Sequence, residues 1–131
     1  MLSRARYLLD TSAMREPSGV EAAERLSRLL VEGKLAVCSL VRVALVAGAP
    51  SDQREAMRFY LSTTTEPLPT DERDFQRALE VQALVDDETA LCWPELVVAA
   101  VAERRALVIL HHNAGFEQIA KVTGQSVEWV T

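Results

Sequence analysis

The chain has 131 residues, of which 49% are hydrophobic and 25% charged, and a formal net charge of −5 at pH 7. That length suits one domain, residues 1–131, with a real core, and the acidic balance argues against binding nucleic acid by bulk electrostatics alone, though not against an enzyme that gathers carboxylates around a metal. No apolar run approaches the roughly 20 residues that span a bilayer, and the opening MLSRARYLLD reads as neither signal peptide nor anchor, so a cytoplasmic protein with no membrane association is expected.

In chain order, RYLLD is a short apolar strand ending on a polar turn at Asp10. VEAAERLSRLLVEG, from Val20, repeats apolar residues at helical spacing and stops at Gly33, a natural C-terminal cap. KLAVCSL is strand-like, and VRVALVAGA follows it without a break. DQREAMRFYLST has helix composition, with Met57, Phe59 and Tyr60 available for packing. EPLPT is too proline-rich for a central strand and suits an edge or a connection. Thr70 and residues 73–84 read as a capped helix with Phe75, Ala78, Leu79 and Leu84 on its apolar side. Asp86, Asp87 and Glu88 read as a solvated connection, and PELVVAAVAERR as a helix with Pro94 at its first position, where a missing N–H costs nothing. ALVILH is the cleanest buried strand, AGFEQIAKVTG a helix closed by Gly124, and SVEWV a last short strand. Cys38 and Cys92 lack CxxC spacing and read as reduced, buried residues.

Strands alternating with helices at this spacing predict an α/β fold with a mostly parallel sheet and helices on both faces. The turns after YLLD and VILH then share one edge, which brings Asp10 and the stretch HHNAG, residues 111–115, into one crevice.

Four segments, LLDTSA (residues 8–13), CSLVRVALVAGA (38–49), PELVVAAVAE (94–103) and LHHNAGFEQIAKVTGQSVEWV (110–130), carry a resemblance to the PIN-domain family, and within it to the VapC-type toxins of toxin–antitoxin systems. The resemblance implies a three-layer α/β/α sandwich with a central sheet of four to five strands. It also implies an endoribonuclease dependent on Mg2+ or Mn2+, an antitoxin protein as partner, RNA as substrate and a homodimer, for which the apolar faces around Leu45, Val46 and Tyr60 offer a surface.

Carried over position by position, the family's acidic pattern falls on Asp10, Ala44, Glu95, Asn113 and Gly115, of which Asp10 alone keeps the expected residue. Magnesium takes oxygen ligands and commonly uses one or two carboxylates with waters and substrate phosphate, so Asp10 and Glu95 are the candidate metal ligands. Asn113 joins them as a candidate catalytic residue, because its amide can lend a carbonyl oxygen or orient water and phosphate. Thr11, Ser12, Arg42 and His112 are candidates for positioning water or phosphate. Each has a structural alternative: Asp10 as a turn residue over Ser12 or Ala13, Glu95 as an acid favoured by a helix N-terminus, Asn113 as a helix cap. His111 and His112 are adjacent, so in a strand they face opposite ways and do not chelate one ion together.

Two unit charges at 4 Å interact by about 4 kcal/mol at an effective dielectric of 20, so losing carboxylates weakens metal binding severely, while relief of repulsion among those that remain returns part of the loss. The expectation is a VapC-like nuclease with an eroded centre that holds Mg2+ or Mn2+ weakly or not at all. The alternative is a non-catalytic PIN-fold binding module whose crevice engages an antitoxin-like protein segment or RNA.

Overall fold

A computed structural model describes residues 4–14, 19–86 and 91–131. Five strands, β1 (Tyr7–Leu9), β2 (Leu35–Cys38), β3 (Glu66–Leu68), β4 (Val108–His111) and β5 (Val127–Trp129), form one sheet in the order β3-β2-β1-β4-β5 with every neighbouring pair parallel. Six helices accompany them among the described residues: α1 (Gly19–Val31), α2 (Ser39–Gly48), α3 (Arg54–Thr64), α4 (Glu72–Gln82), α5 (Trp93–Arg105) and α6 (Gly115–Thr123). The expected α/β architecture is present, and its sheet has the larger of the two strand numbers.

Every residue of β1 and β2 is buried, the pattern of strands covered on both faces, which is why they read as continuous apolar runs without alternation. EPLPT does lie at an edge: β3 pairs only with β2, and Pro67, which cannot donate to a ladder, stands opposite Val37. Gly33 and Gly124 take the positive φ values that let the chain leave α1 and α6.

Several local readings need correction. KLAVCSL is strand only from Leu35 to Cys38, and α2 starts at once at Ser39. The cap of α4 is Asp71 rather than Thr70: its side chain accepts from the Arg73 N–H while Asp74 accepts from the Asp71 N–H, a reciprocal box. The inner face of α4 is Asp74, Ala78 and Val81, leaving Phe75, Leu79 and Leu84 exposed, because the helix docks along α5 through the Arg77–Glu103 and Arg104–Asp74 pairs. Phe59 is likewise exposed on α3, which buries Leu61 instead. Cys38 is buried as expected, whereas Cys92 is exposed. Of the connection at residues 86–88, Asp87 and Glu88 lie outside the described residues.

Helix α5 is the spine of the domain. It is apolar all round from Leu96 to Ala102 and buried over that whole length. Its last turn carries Arg104, which forks onto both oxygens of Asp74 at 2.9 Å, a carboxylate only 1% exposed. Removing one partner of a buried pair strands the other charge. Arg104→Met is expected to lower stability by about 2–3 kcal/mol in urea unfolding, while Arg73→Met, which removes an exposed pairing with Asp71, leaves the midpoint nearly unchanged.

The core also holds an imidazole. His111 has no exposed surface and packs between the rings of Phe116 and Trp129, with centroids at 5.1 and 4.8 Å. Its Nδ1 accepts the Asn113 N–H at 3.1 Å, so the neutral tautomer carries its proton on Nε2, 3.5 Å from Glu117 Oε1. Burial pushes this imidazole below the ordinary histidine value of 6.5, against the opposite pull of Glu117 and Asp10. The unfolded chain therefore binds the proton more readily as pH falls through that value, and stability falls with it. The melting temperature is expected to drop between about pH 7.5 and about pH 5.5, and to drop less in His111→Asn, whose amide oxygen keeps an acceptor for Asn113.

Candidate active site

The sheet order reverses between β1 and β4, the point at which open α/β sheets form a crevice beyond the carboxyl ends of their strands. Leu9 pairs with Leu110, so Asp10 emerges level with His111, and its N–H donates to the Leu110 carbonyl at 3.1 Å. A 3-10 turn, Thr11–Met14, follows immediately. Asp10 is 6% exposed, and its Oδ2 accepts the Ser12 N–H at 3.0 Å, so it does carry out the turn-capping role open to it. Ser12 is fully buried and its Oγ accepts the His112 N–H at 2.9 Å. These bonds clamp the turn after β1 to the turn after β4, with Thr11 half-buried at the start of the first.

The second carboxylate arrives from α5. That helix starts at Trp93, one residue before Pro94, and Glu95 lies in its first turn, 9% exposed, where its charge also suits the helix dipole. Asn113 reaches it directly, its Nδ2 donating to Glu95 Oε1 at 2.7 Å. The other end of the same amide, Oδ1, accepts the Gly115 N–H at 2.9 Å, although the cap position of α6 belongs to Ala114. Asn113 thus serves both the helix start and the neighbouring acid.

Gly115 opens α6 without a positive φ, so its backbone makes no demand for glycine. Space does. A Cβ there would stand 2.6 Å from Glu95 Oε2 and 2.7 Å from Cδ2 of Leu91. Ala44 is exposed on α2 and brings no donor.

Sequence and structure differ at the rim. β4 ends at His111, which is buried, while His112 follows it half-buried, and both rings border Trp129, that of His112 edge-on at 5.6 Å. Arg42 is tied to Ser39 through Nη2 and Oγ at 3.2 Å and lines a separate groove between α2 and α3. Trp129 and Leu91 are walls that went unnoticed in the sequence; the register of β5 on β4, His111 opposite Trp129, is the signal that identifies the first.

Among the described residues no group of three or more His, Cys, Asp and Glu side chains converges in a way that could hold a metal ion. Two metal ions about 3.5–4 Å apart require bridging and terminal acids. The donors present do not fit that arrangement, since Ala44 and Gly115 offer none and Asn113 is already bonded at both ends.

No family model matches the chain. It is 33% identical to Ribonuclease VapC21 of Mycobacterium tuberculosis over 95% of this chain and 94% of that protein. Its fold is similar to a chain of a toxin–antitoxin complex from Klebsiella pneumoniae, with a TM-score of 0.73 at 19% identity over 95% of this chain and 98% of that one. A chain of DNA-bound VapBC from Salmonella typhimurium aligns with a TM-score of 0.72 at 17% identity, over 97% and 99% of the two chains. With a relative of that identity matched over nearly its whole length, the chain belongs to the VapC ribonuclease family.

Proposed function

We propose that this chain is a VapC-type PIN-domain toxin, a single domain over residues 1–131, whose Mg2+- or Mn2+-dependent endoribonuclease centre is eroded, leaving weak RNA cleavage or none. The observation that carries the reading is the bond from Asn113 to Glu95: the amide donates to a carboxylate that a metal-dependent nuclease would direct at a cation. Asp10 and Glu95 are the remaining candidate ligands, with Asn113 between them and the helix start. Thr11, Ser12 and His112 are candidates for holding water or phosphate, though Ser12 is buried and already engaged by His112. A glutamate one methylene longer than aspartate adds to the loss, because a misplacement near 1 Å can cost about 10²-fold in rate.

RNA cleavage in Mg2+ and in Mn2+ is expected to be at background for the native chain and unchanged by Asp10→Ala, with no heat of Mn2+ binding in calorimetry. Robust cleavage abolished by Asp10→Ala would overturn the reading.

Binding to a protein partner is the second reading, and a different surface favours it. Between α2 and α3 runs a groove of about 1110 Å³, lined by Val43, Val46, Ala47 and Phe59, with Arg42, Arg54 and Arg58 among its polar residues. Val43 and Phe59 are each 70% exposed, an apolar pair that asks for cover. The similar folds come from toxin–antitoxin assemblies, which supports an antitoxin segment as that cover. A homodimer through Leu45, Val46 and Tyr60, a cytoplasmic location and RNA as the ligand of the crevice belong to the same proposal; no helix among the described residues is long and apolar enough to cross a membrane. Co-expressed with a VapB-type antitoxin, the chain is expected to co-purify with it, and Phe59→Asp to weaken the complex by about tenfold or more in a binding titration. A native chain that elutes alone and monomeric would count against this reading.

A further inference from the structure

Position 115 and position 95 are tied by volume. The carboxylate of Glu95 and the Leu91 side chain together fill the space that a side chain at 115 would claim: a Cβ on Gly115 would meet Glu95 Oε2 at 2.6 Å, Leu91 Cδ2 at 2.7 Å and Asn113 Oδ1 at 3.2 Å, the first two well inside contact distance. Position 113 is tied to both by hydrogen bonds, since its amide donates to Glu95 Oε1 and accepts from the Gly115 N–H. An aspartate at 113 could still accept from Gly115, but its second oxygen would face the Glu95 carboxylate at a hydrogen-bond distance with nothing to share. Two carboxylates so placed need a cation or a proton between them.

We propose that Glu95, Asn113 and Gly115 form one interlocked unit in which Gly115 admits the longer carboxylate and the Asn113 amide bonds it where a divalent cation would otherwise be required. The three departures from the family pattern on this wall of the crevice are then one coupled change rather than three independent losses. An acid restored at 113 makes the wall dependent on a cation, and a side chain restored at 115 displaces the Glu95 carboxylate and the Leu91 methyl, a displacement that shortening residue 95 eases on the first side only. The inference rests on the reading of the nuclease centre as eroded, and it concerns how the eroded centre is held together.

The test is thermal unfolding of the native chain, Gly115→Ala, Glu95→Asp, their combination, and Asn113→Asp, each with and without MnCl2. Gly115→Ala is expected to lower the melting temperature by about 5 °C in the native background and by measurably less beside Glu95→Asp, where the contact with Leu91 alone remains. Asn113→Asp is expected to melt lower than the native chain without Mn2+ and to regain most of the difference with it, while the native chain does not respond. Equal decrements from Gly115→Ala in both backgrounds, or a native chain as responsive to Mn2+ as Asn113→Asp, would overturn the interlock. Should Gly115→Ala fail to fold in both backgrounds, the Mn2+ response of Asn113→Asp decides alone. RNA cleavage on the same preparations keeps the two readings apart: robust cleavage by the native chain sinks the eroded centre, whereas additive melting shifts in a chain without robust cleavage sink only the interlock.

Discussion

The crevice depends on the pairing of β1 with β4. Because those strands are parallel neighbours at the point where the sheet order reverses, both deliver their following turns to the same place. Two bonds then fix the turns to each other, the Asp10 N–H to the Leu110 carbonyl and the His112 N–H to Ser12 Oγ. Asp10 and Ser12 are buried by this clamp, so each must be satisfied locally, and each is, with Ser12 donating its N–H to Asp10 and accepting from His112. A side chain read as a metal ligand therefore has structural duties that would keep it in place after the chemistry was gone.

Helix α5 imposes the second condition. Its apolar circumference commits it to the interior, and Glu95, in its first turn, goes in with it. A buried carboxylate is costly unless hydrogen-bonded, and the Asn113 amide meets that need at one of its two oxygens, Oε1, at 2.7 Å. Asn113 is itself fixed, because its oxygen closes the start of α6 and its backbone N–H is held by the buried His111 ring. Packing of the core and chemistry of the crevice are thus joined through one residue of the turn.

Much of this was legible in the sequence. Uniform burial of β1 and β2 leaves continuous apolar runs, Pro67 marks an edge, and glycines at 33 and 124 mark helix ends, so strand–helix alternation and a parallel sheet follow from local signals. What failed was the choice of face. In α4 the period alone selects Phe75 and Leu79, but the structure buries Asp74, because a charge forked by Arg104 from another helix can be placed inside and no local pattern reveals its partner.

At the site, two bonded sets stand on neighbouring turns, Asp10 with Ser12 and His112, and Glu95 with Asn113 and Gly115. Arg42 does not join them, since its helix turns it towards the groove against α3. The sequence treats Gly115 as a lost acid, a subtraction, whereas in the structure the space beside it is taken by Glu95 Oε2 and Leu91 Cδ2. Clustered carboxylates repel one another without their cation, so on the proposed reading a crevice that trades an acid for an amide, and another for room, would relax a local strain as it lost ligands. On the proposed reading, this is why the family fold is kept intact around a weakened centre: each change that removes a ligand also removes a reason for the apo site to open.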